Sequence, residues 1–159
     1  MRALQPEDLA AVGHLLPYNA HVLISVLGPQ RACDLMAKRP GALLIVPRRA
    51  NANDAGRARF EELVDLVGED GAHALVDRLG EFGAIAVPVC KAAREELRAR
   101  EIRAEFDRLT GSGMSGRTAI YQVGIDPRWS PITSRAIEKI CARADRQPVQ
   151  HELFCLECK

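Results

Sequence analysis

The chain has 159 residues and a formal net charge of +1, with 47% hydrophobic and 27% charged residues, a balance typical of a folded globular protein. Aromatic residues make up only 4% of the chain, which argues against a base-stacking platform for single-stranded nucleic acid. No apolar run is long enough to span a bilayer and the N-terminus is too acidic for a signal peptide, so we expect a cytoplasmic protein without membrane contact.

The first predicted elements in chain order are three helices and a strand. One helix begins near Pro6, because proline suits the first helical position. A second covers HVLISVLG and ends at Gly28, and a third, PQRACDLMAKR, follows directly. The aliphatic run just before Pro47 is too short for a helix, and it predicts a strand at 43–46.

The same order of elements then follows a second time. Asn53 or Asp54 caps a helix over ARFEELVDLVG, a further helix covers EDGAHALVDRLG, and the strand AIAV ends at Pro88. This duplication predicts tandem repeats. We expect the two strands to pair, either within the chain or across a dimer, through residues that the pattern places in them: Leu43, Leu44, Ile45, Val46, Ile85, Ala86 and Val87. The alternative is two similar helical hairpins without strand pairing.

The third part of the chain begins with a run of high helix propensity from Cys90 to about Leu109, followed by the flexible joint GSGMSG. A short helix over 117–123 is then predicted to end at Gly124, with Ile125 in the turn. The next helix is predicted to start with Ser130 as its N-cap and Pro131 at its first position. Two helices joined in this way are typical of a helix-turn-helix, whose second helix enters the major groove of DNA.

Charge favours this part of the chain as a DNA-binding surface. Residues 1–88 carry a net charge of −2 and residues 89–159 a net charge of +3. In the second helix, Ile132, Ala136 and Ile140 are predicted to face the core, beside a basic row that suits phosphate contact. The candidate DNA-binding residues are Arg117, Arg128, Thr133, Ser134, Arg135, Lys139 and Arg143, with Arg146 further along the row. The alternative is a helical hairpin with a solvated basic face.

Three segments of the chain carry a resemblance to a known family. GEDGAHALVDRLGEFGAIAVP, IRAEFDRLTG and RTAIYQVGI, in this order, resemble the Mor transcription-activator family of transposable phages, over roughly residues 62–141. The resemblance implies a dimeric DNA-binding activator. It also implies that the strand Ile85 to Val87 pairs across the dimer and that residues 117–143 read the promoter.

The cysteines suggest a second kind of site. Cys141, His151, Cys155 and Cys158 are four nitrogen and sulfur ligands of the kind that close a tetrahedral structural zinc site. The alternative is a C-terminal tail that binds no metal. Two further cysteines, Cys33 and Cys90, lie on predicted apolar faces and are expected to be small core residues, and Trp129 is expected to anchor the packing of the last two helices. We expect no other cofactor.

The sequence therefore predicts a mainly α fold with tandem repeats, each a helix pair and a short strand, and a C-terminal helix-turn-helix. The expected organisation is a first repeat at 1–50, a second at 51–89, a long helix with the helix-turn-helix at 90–146, and a tail at 147–159. No phosphate loop, nucleophile elbow or paired-acid motif is present, so we do not expect an enzyme.

Two functions follow from these features. The first is a phage-type transcription activator that binds double-stranded DNA as a homodimer in the host cytoplasm, with RNA polymerase or another host protein as a further partner. The second is a phage-encoded protein-binding module, or an inhibitor of a host complex, built on the same Mor-like fold.

Overall fold

The structure, a computed structural model, describes residues 2–50 and 53–143. Within these residues the chain is mainly helical, as predicted, and its two strands form one small sheet. In the same two ranges no helix is both long and apolar enough to cross a membrane. The N-terminal helix is short: α1 (Leu9–Val12) lies between two 3-10 turns, Pro6–Asp8 and Gly13–Leu15.

Two helix pairs follow, and each is joined at a glycine. The first pair is α2 (Tyr18–Leu27) and α3 (Pro29–Lys38), and the second is α4 (Asp54–Val67) and α5 (Glu69–Leu79). The junction residues Gly28 and Gly68 both have a φ of 79°, a conformation that side chains with a Cβ rarely adopt. The predicted helix end at Gly28 is confirmed.

The N-cap of α4 is Asn53, one of the two predicted residues. The side-chain Oδ1 of Asn53 accepts a hydrogen bond from the backbone N–H of Gly56, with an N to O distance of 2.7 Å. This bond satisfies one of the amide donors that the first turn of a helix leaves without an intrahelical partner.

Each helix pair leads into a short strand, and the two strands pair antiparallel within the chain. The strands are β1 (Leu43–Ile45) and β2 (Ala84–Ala86), with Leu44 opposite Ile85. Three backbone bonds extend the pairing beyond the strand ends: Val46 N donates to Gly83 O at 3.0 Å, Val87 N donates to Ala42 O at 2.8 Å, and Gly41 N donates to Val87 O at 2.9 Å. The predicted strand residues therefore lie in or directly beside the sheet.

One large hydrophobic core, here called the main core, joins the helix pairs, the inner face of the sheet and the start of the next helix. Its fully buried side chains include Leu23, Leu35, Met36, Leu63 and Leu75. Cys33 and Cys90 are buried in it as predicted. Burial raises the pKa of the Cys33 thiol to about 11, because a thiolate is poorly solvated among apolar side chains.

The last three described helices surround a second, smaller core. These helices are α6 (Lys91–Gly111), α7 (Gly116–Ile125) and α8 (Ser134–Cys141). The second core, here called the C-terminal cluster, consists of buried Ile102, Val123, Trp129 and Ile137. Trp129 is only 4% exposed, which confirms its predicted packing role. Helix α6 belongs to both cores, since its first turns contribute Ala93 and Leu97 to the main core.

Two predicted boundaries in this region are wrong. Helix α7 does not end before Gly124 but continues to Ile125. The stop signal is Pro127: Asp126, the residue before it, has an extended ψ of 122°, because a proline disfavours the helical conformation in the preceding residue. Ile125 is therefore the last helical residue and not a turn residue.

The predicted start of α8 at Ser130 and Pro131 is also wrong. The N-cap is Thr133, whose Oγ1 accepts a hydrogen bond from Ala136 N at 3.2 Å. Trp129 is packed into the C-terminal cluster between α7 and α8, so the chain at Ser130 is still crossing from one helix to the next.

Candidate nucleic-acid interface

Helix α8 has one buried side and one exposed side. Ile137 is fully buried, and Ala136 and Ile140 beside it are half-buried. The predicted inward row of Ile132, Ala136 and Ile140 is only partly right, because Ile132 precedes the helix and Ile137 holds the central position. The helix starts after Thr133, and Ile137 lies one turn later, on the side of the helix that faces the core.

The exposed side of α8 carries most of the predicted basic row. Arg135 and Lys139 lie four residues apart in the helix, and Arg143 follows two residues after its end. All three are exposed, and within the described part of the chain none of them forms an ion pair. Positions four residues apart share a helix face, so Arg135 and Lys139 lie on one surface, which Glu138 also shares, whereas Arg143 lines the groove between α6 and the end of α8. Arg146 lies outside the described residues.

The remaining predicted DNA-binding residues differ in their exposure and in their hydrogen bonds. Arg117 is exposed near the start of α7, whose N-cap is Ser115. Ser134 is exposed in the first turn of α8. The hydroxyl oxygen of Thr133 is engaged as the helix cap, so this residue orders the helix start.

Arg128 has a structural position that the sequence did not indicate. Its guanidinium donates hydrogen bonds to Asp126, with Nη2 to Oδ2 at 2.7 Å, and lies 3.6 Å from Oε1 of Glu105. It also lies over the ring of Trp129, 4.2 Å from the ring centroid. These hydrogen bonds hold the pKa of Asp126 below its ordinary value, because they stabilise the charged carboxylate.

A set of polar bonds from α6 holds α8 in place. Glu96, only 7% exposed, accepts hydrogen bonds from Arg103 at 2.9 Å and from Arg100 at 3.2 Å. Arg103 also donates to the backbone oxygen of Ile140 at 3.4 Å. Breaking a buried ion pair is strongly destabilising, so this pairing fixes the arginine that contacts the C-terminal turn of α8.

Of the four predicted zinc ligands, only Cys141 lies in the described residues. It is half-buried at the end of α8, and burial raises the pKa of its thiol. His151, Cys155 and Cys158 lie outside the described residues. Within residues 2–50 and 53–143 there is no group of three or more His, Cys, Asp or Glu side chains that could hold a metal ion.

Comparison with known proteins gives one short likeness. The chain is 46% identical over 56 residues to the "Bifunctional protein FolD" of Pelotomaculum thermopropionicum (strain DSM 13744 / JCM 10971 / SI), which is 35% of this chain and 18% of that protein. The chain thus spans less than a fifth of the length of this curated relative. No family model matches the chain, and no solved structure gives a significant match.

Proposed function

We propose that the protein is a phage-type transcription activator that binds double-stranded DNA through α7 and α8, used as a helix-turn-helix. The observation that carries the proposal is the exposed side of α8, where Arg135 and Lys139 have no carboxylate partner in the described part of the chain. Unpaired cations on one helix face are the groups that neutralise DNA phosphates and release condensed counterions. The protein has no catalytic role in this proposal.

The dimensions of α8 suit this role. An α-helix with its side chains is about 10–12 Å in diameter, so α8, a helix of eight residues, fits the major groove, which is about 12 Å wide. Ser134 at the N-terminal end of α8 is placed to contact a base edge, as residues at the start of recognition helices do. The cations along the helix then contact phosphates and set its orientation.

We also propose that the protein is similar to the Mor family in its fold and that it acts as a homodimer. Support for tandem repeats comes from the equal element order and from the equal φ at Gly28 and Gly68. Since β1 and β2 pair within the chain, a dimer needs another surface. The outer edge of β1 is available, because the pairing of Leu44 with Ile85 turns the backbone groups of Leu43 and Ile45 away from β2. A dimer presents two recognition helices to a symmetric operator.

The experiment is a salt titration of DNA binding. A duplex is selected from a random library with the parent protein, and the affinity of the triple variant Arg135→Ala, Lys139→Ala, Arg143→Ala is measured on it. Each lost phosphate contact reduces the slope of log affinity against log salt by about 0.9, so the triple variant is expected to lose about 2.7 units of slope. The matched control is Arg57→Ala, Arg59→Ala, Arg78→Ala, which removes the same charge from exposed positions of α4 and α5.

Two outcomes contradict the proposal. Either no duplex is selected at low salt, or the α8 variant retains the parent slope. Equal losses in the α8 variant and the control would show that net charge, and not the α8 surface, drives binding.

A second candidate function is a protein-binding module, for example an inhibitor of a host complex such as RNA polymerase. Tyr121 is 61% exposed and Ile125 is 55% exposed, and the two lie four residues apart on α7. Exposed apolar side chains at this spacing form a surface of the kind that binds protein partners. A library selection that yields no duplex would favour this protein-binding function over DNA binding.

A further inference from the structure

A small pocket lies where α6 meets the connection between α7 and α8. It has a volume of about 120 Å³. Its lining carries four arginines and one glutamate: Arg2, Arg94, Arg98, Arg128 and Glu101. Trp129 and Ser130 close it from the side of the connection. No local sequence pattern brings these arginines together, because they come from three distant parts of the chain.

Two of the four arginines are already neutralised. Arg2 donates hydrogen bonds to Asp8 at 2.5 Å and to Glu101 at 2.6 Å. Arg128 is paired with Asp126. The single carboxylate in the lining, Glu101, is therefore engaged by Arg2, and it is not the partner of the remaining two cations.

Arg94 and Arg98 remain without a carboxylate partner in the described part of the chain. Arg94 Nη2 donates to the backbone oxygen of Met36 at 3.2 Å, and Arg98 Nη2 donates to the backbone oxygen of Trp129. The Nε of Arg94 is buried and has no hydrogen-bond partner among the described residues. A buried donor without an acceptor costs free energy, and two guanidiniums four residues apart on one helix repel each other.

We propose that this pocket binds a phosphate group, with Arg94 and Arg98 as its principal ligands. A guanidinium presents a fork of donors that matches the oxygens of a phosphate. A bound phosphate supplies the acceptors that these two arginines lack and compensates their charge. Ser130 adds a hydroxyl donor to the same lining.

The size of the pocket fits this ligand. A cavity of about 120 Å³ has room for several water molecules, which is enough for a tetrahedral oxyanion. The bound group would bridge α6 to the connection that positions α8. The phosphate has two possible sources, a free phosphate monoester or the backbone of DNA.

The first test uses the full chain and inorganic phosphate. Thermal unfolding is followed in sodium phosphate and in sodium chloride at equal ionic strength. Phosphate at ten times its dissociation constant is expected to raise the melting temperature by about 3–6 °C. Arg94→Gln and Arg98→Gln are expected to lose this increase, each measured against the same variant in chloride, so a change in intrinsic stability does not obscure the result.

Two controls sharpen the test. Arg78→Gln, an exposed arginine of α5, is expected to retain the full increase. Glu101→Gln removes the carboxylate from the lining and is expected to bind phosphate about two- to fivefold more tightly. Fluorescence of Trp129, the single tryptophan of the chain, reports the same binding curve from within the pocket.

Competition with a short duplex distinguishes the two sources of phosphate. Displacement of inorganic phosphate by duplex DNA identifies the DNA backbone as the ligand, and binding that duplex DNA does not affect identifies a free monoester. The phosphate assay contains no DNA, so its result is independent of the proposed function. The proposal is overturned if phosphate gives no increase, or if Arg94→Gln and Arg98→Gln show the same increase as the parent.

Discussion

The main core and the C-terminal cluster stabilise the protein in different ways. The main core collects buried side chains from the N-terminal turn, both helix pairs, the sheet and the start of α6. The C-terminal cluster contains four buried residues, all between positions 102 and 137. Stability scales with the apolar surface removed from water, so the three-helix unit around the cluster is expected to open at a lower free energy than the main core.

Polar contacts compensate in part for the small size of the C-terminal cluster. Arg98 donates to the backbone oxygen of Trp129, Arg103 donates to that of Ile140, and Thr133 caps α8. Bonds of this kind depend on direction more than on area, so they fix the orientation of α8 without a large core. The orientation of the proposed binding surface therefore depends on a few specific bonds, whereas the fold depends on many apolar contacts.

The largest effect is expected in the main core. Leu75→Ala removes a fully buried side chain of α5 and leaves a cavity, which is expected to lower the free energy of unfolding by about 2–5 kcal/mol. Urea unfolding followed by far-UV circular dichroism measures it. The matched control is Leu43→Ala, at a side chain that is 64% exposed, with an expected change within about 0.5 kcal/mol. Equal losses at both positions would contradict the description of the core.

An intermediate effect, confined to one region, is expected in the C-terminal cluster. Ile137→Ala removes its fully buried residue from α8 and is expected to destabilise the three-helix unit by about 2–4 kcal/mol. Trp129 fluorescence should then change at lower urea than circular dichroism does, since the tryptophan is a buried member of this cluster. Ile125→Ala, at a side chain that is 55% exposed, is the matched control. Coincident transitions in Ile137→Ala would show that the two cores unfold as one unit.

The smallest effect is expected from the helix caps. Thr133→Ala removes the N-cap of α8 and Asn53→Ala that of α4, and each is expected to cost about 1 kcal/mol. Thr133→Ala should shift the Trp129 transition, and Asn53→Ala should shift the transition seen by circular dichroism. If both variants shift both transitions equally, the main core and the C-terminal cluster do not unfold independently.

Local chemistry explains which parts of the fold were predictable. Gly28 ends α2 and Asn53 caps α4 because each effect depends on one residue and its immediate neighbours. The place of the strands followed from two short aliphatic runs. Their pairing within the chain depends on residues about forty positions apart, and the sequence left it open against pairing across a dimer.

The candidate site was less predictable because its contacts are distant in sequence. The Ser130–Pro131 pair has the residue types of a helix start, yet the buried position of Trp129 delays α8 until Thr133. Arg98 contacts a backbone oxygen 31 residues away, and Arg94 one 58 residues away. No local pattern distinguishes these two arginines from the others in α6.

Helix α6 is continuous through both cores, so the number of residues between them sets how the C-terminal cluster is rotated relative to the main core. Ala93 is embedded in the main core and Ile102 in the C-terminal cluster. Each residue between them contributes about 1.5 Å of advance and about 100° of rotation. Loss or gain of one residue in this stretch would turn the basic side of α8 by about 100° relative to the rest of the molecule. A gain of four would add about 6 Å and return it to within about 40° of its original direction.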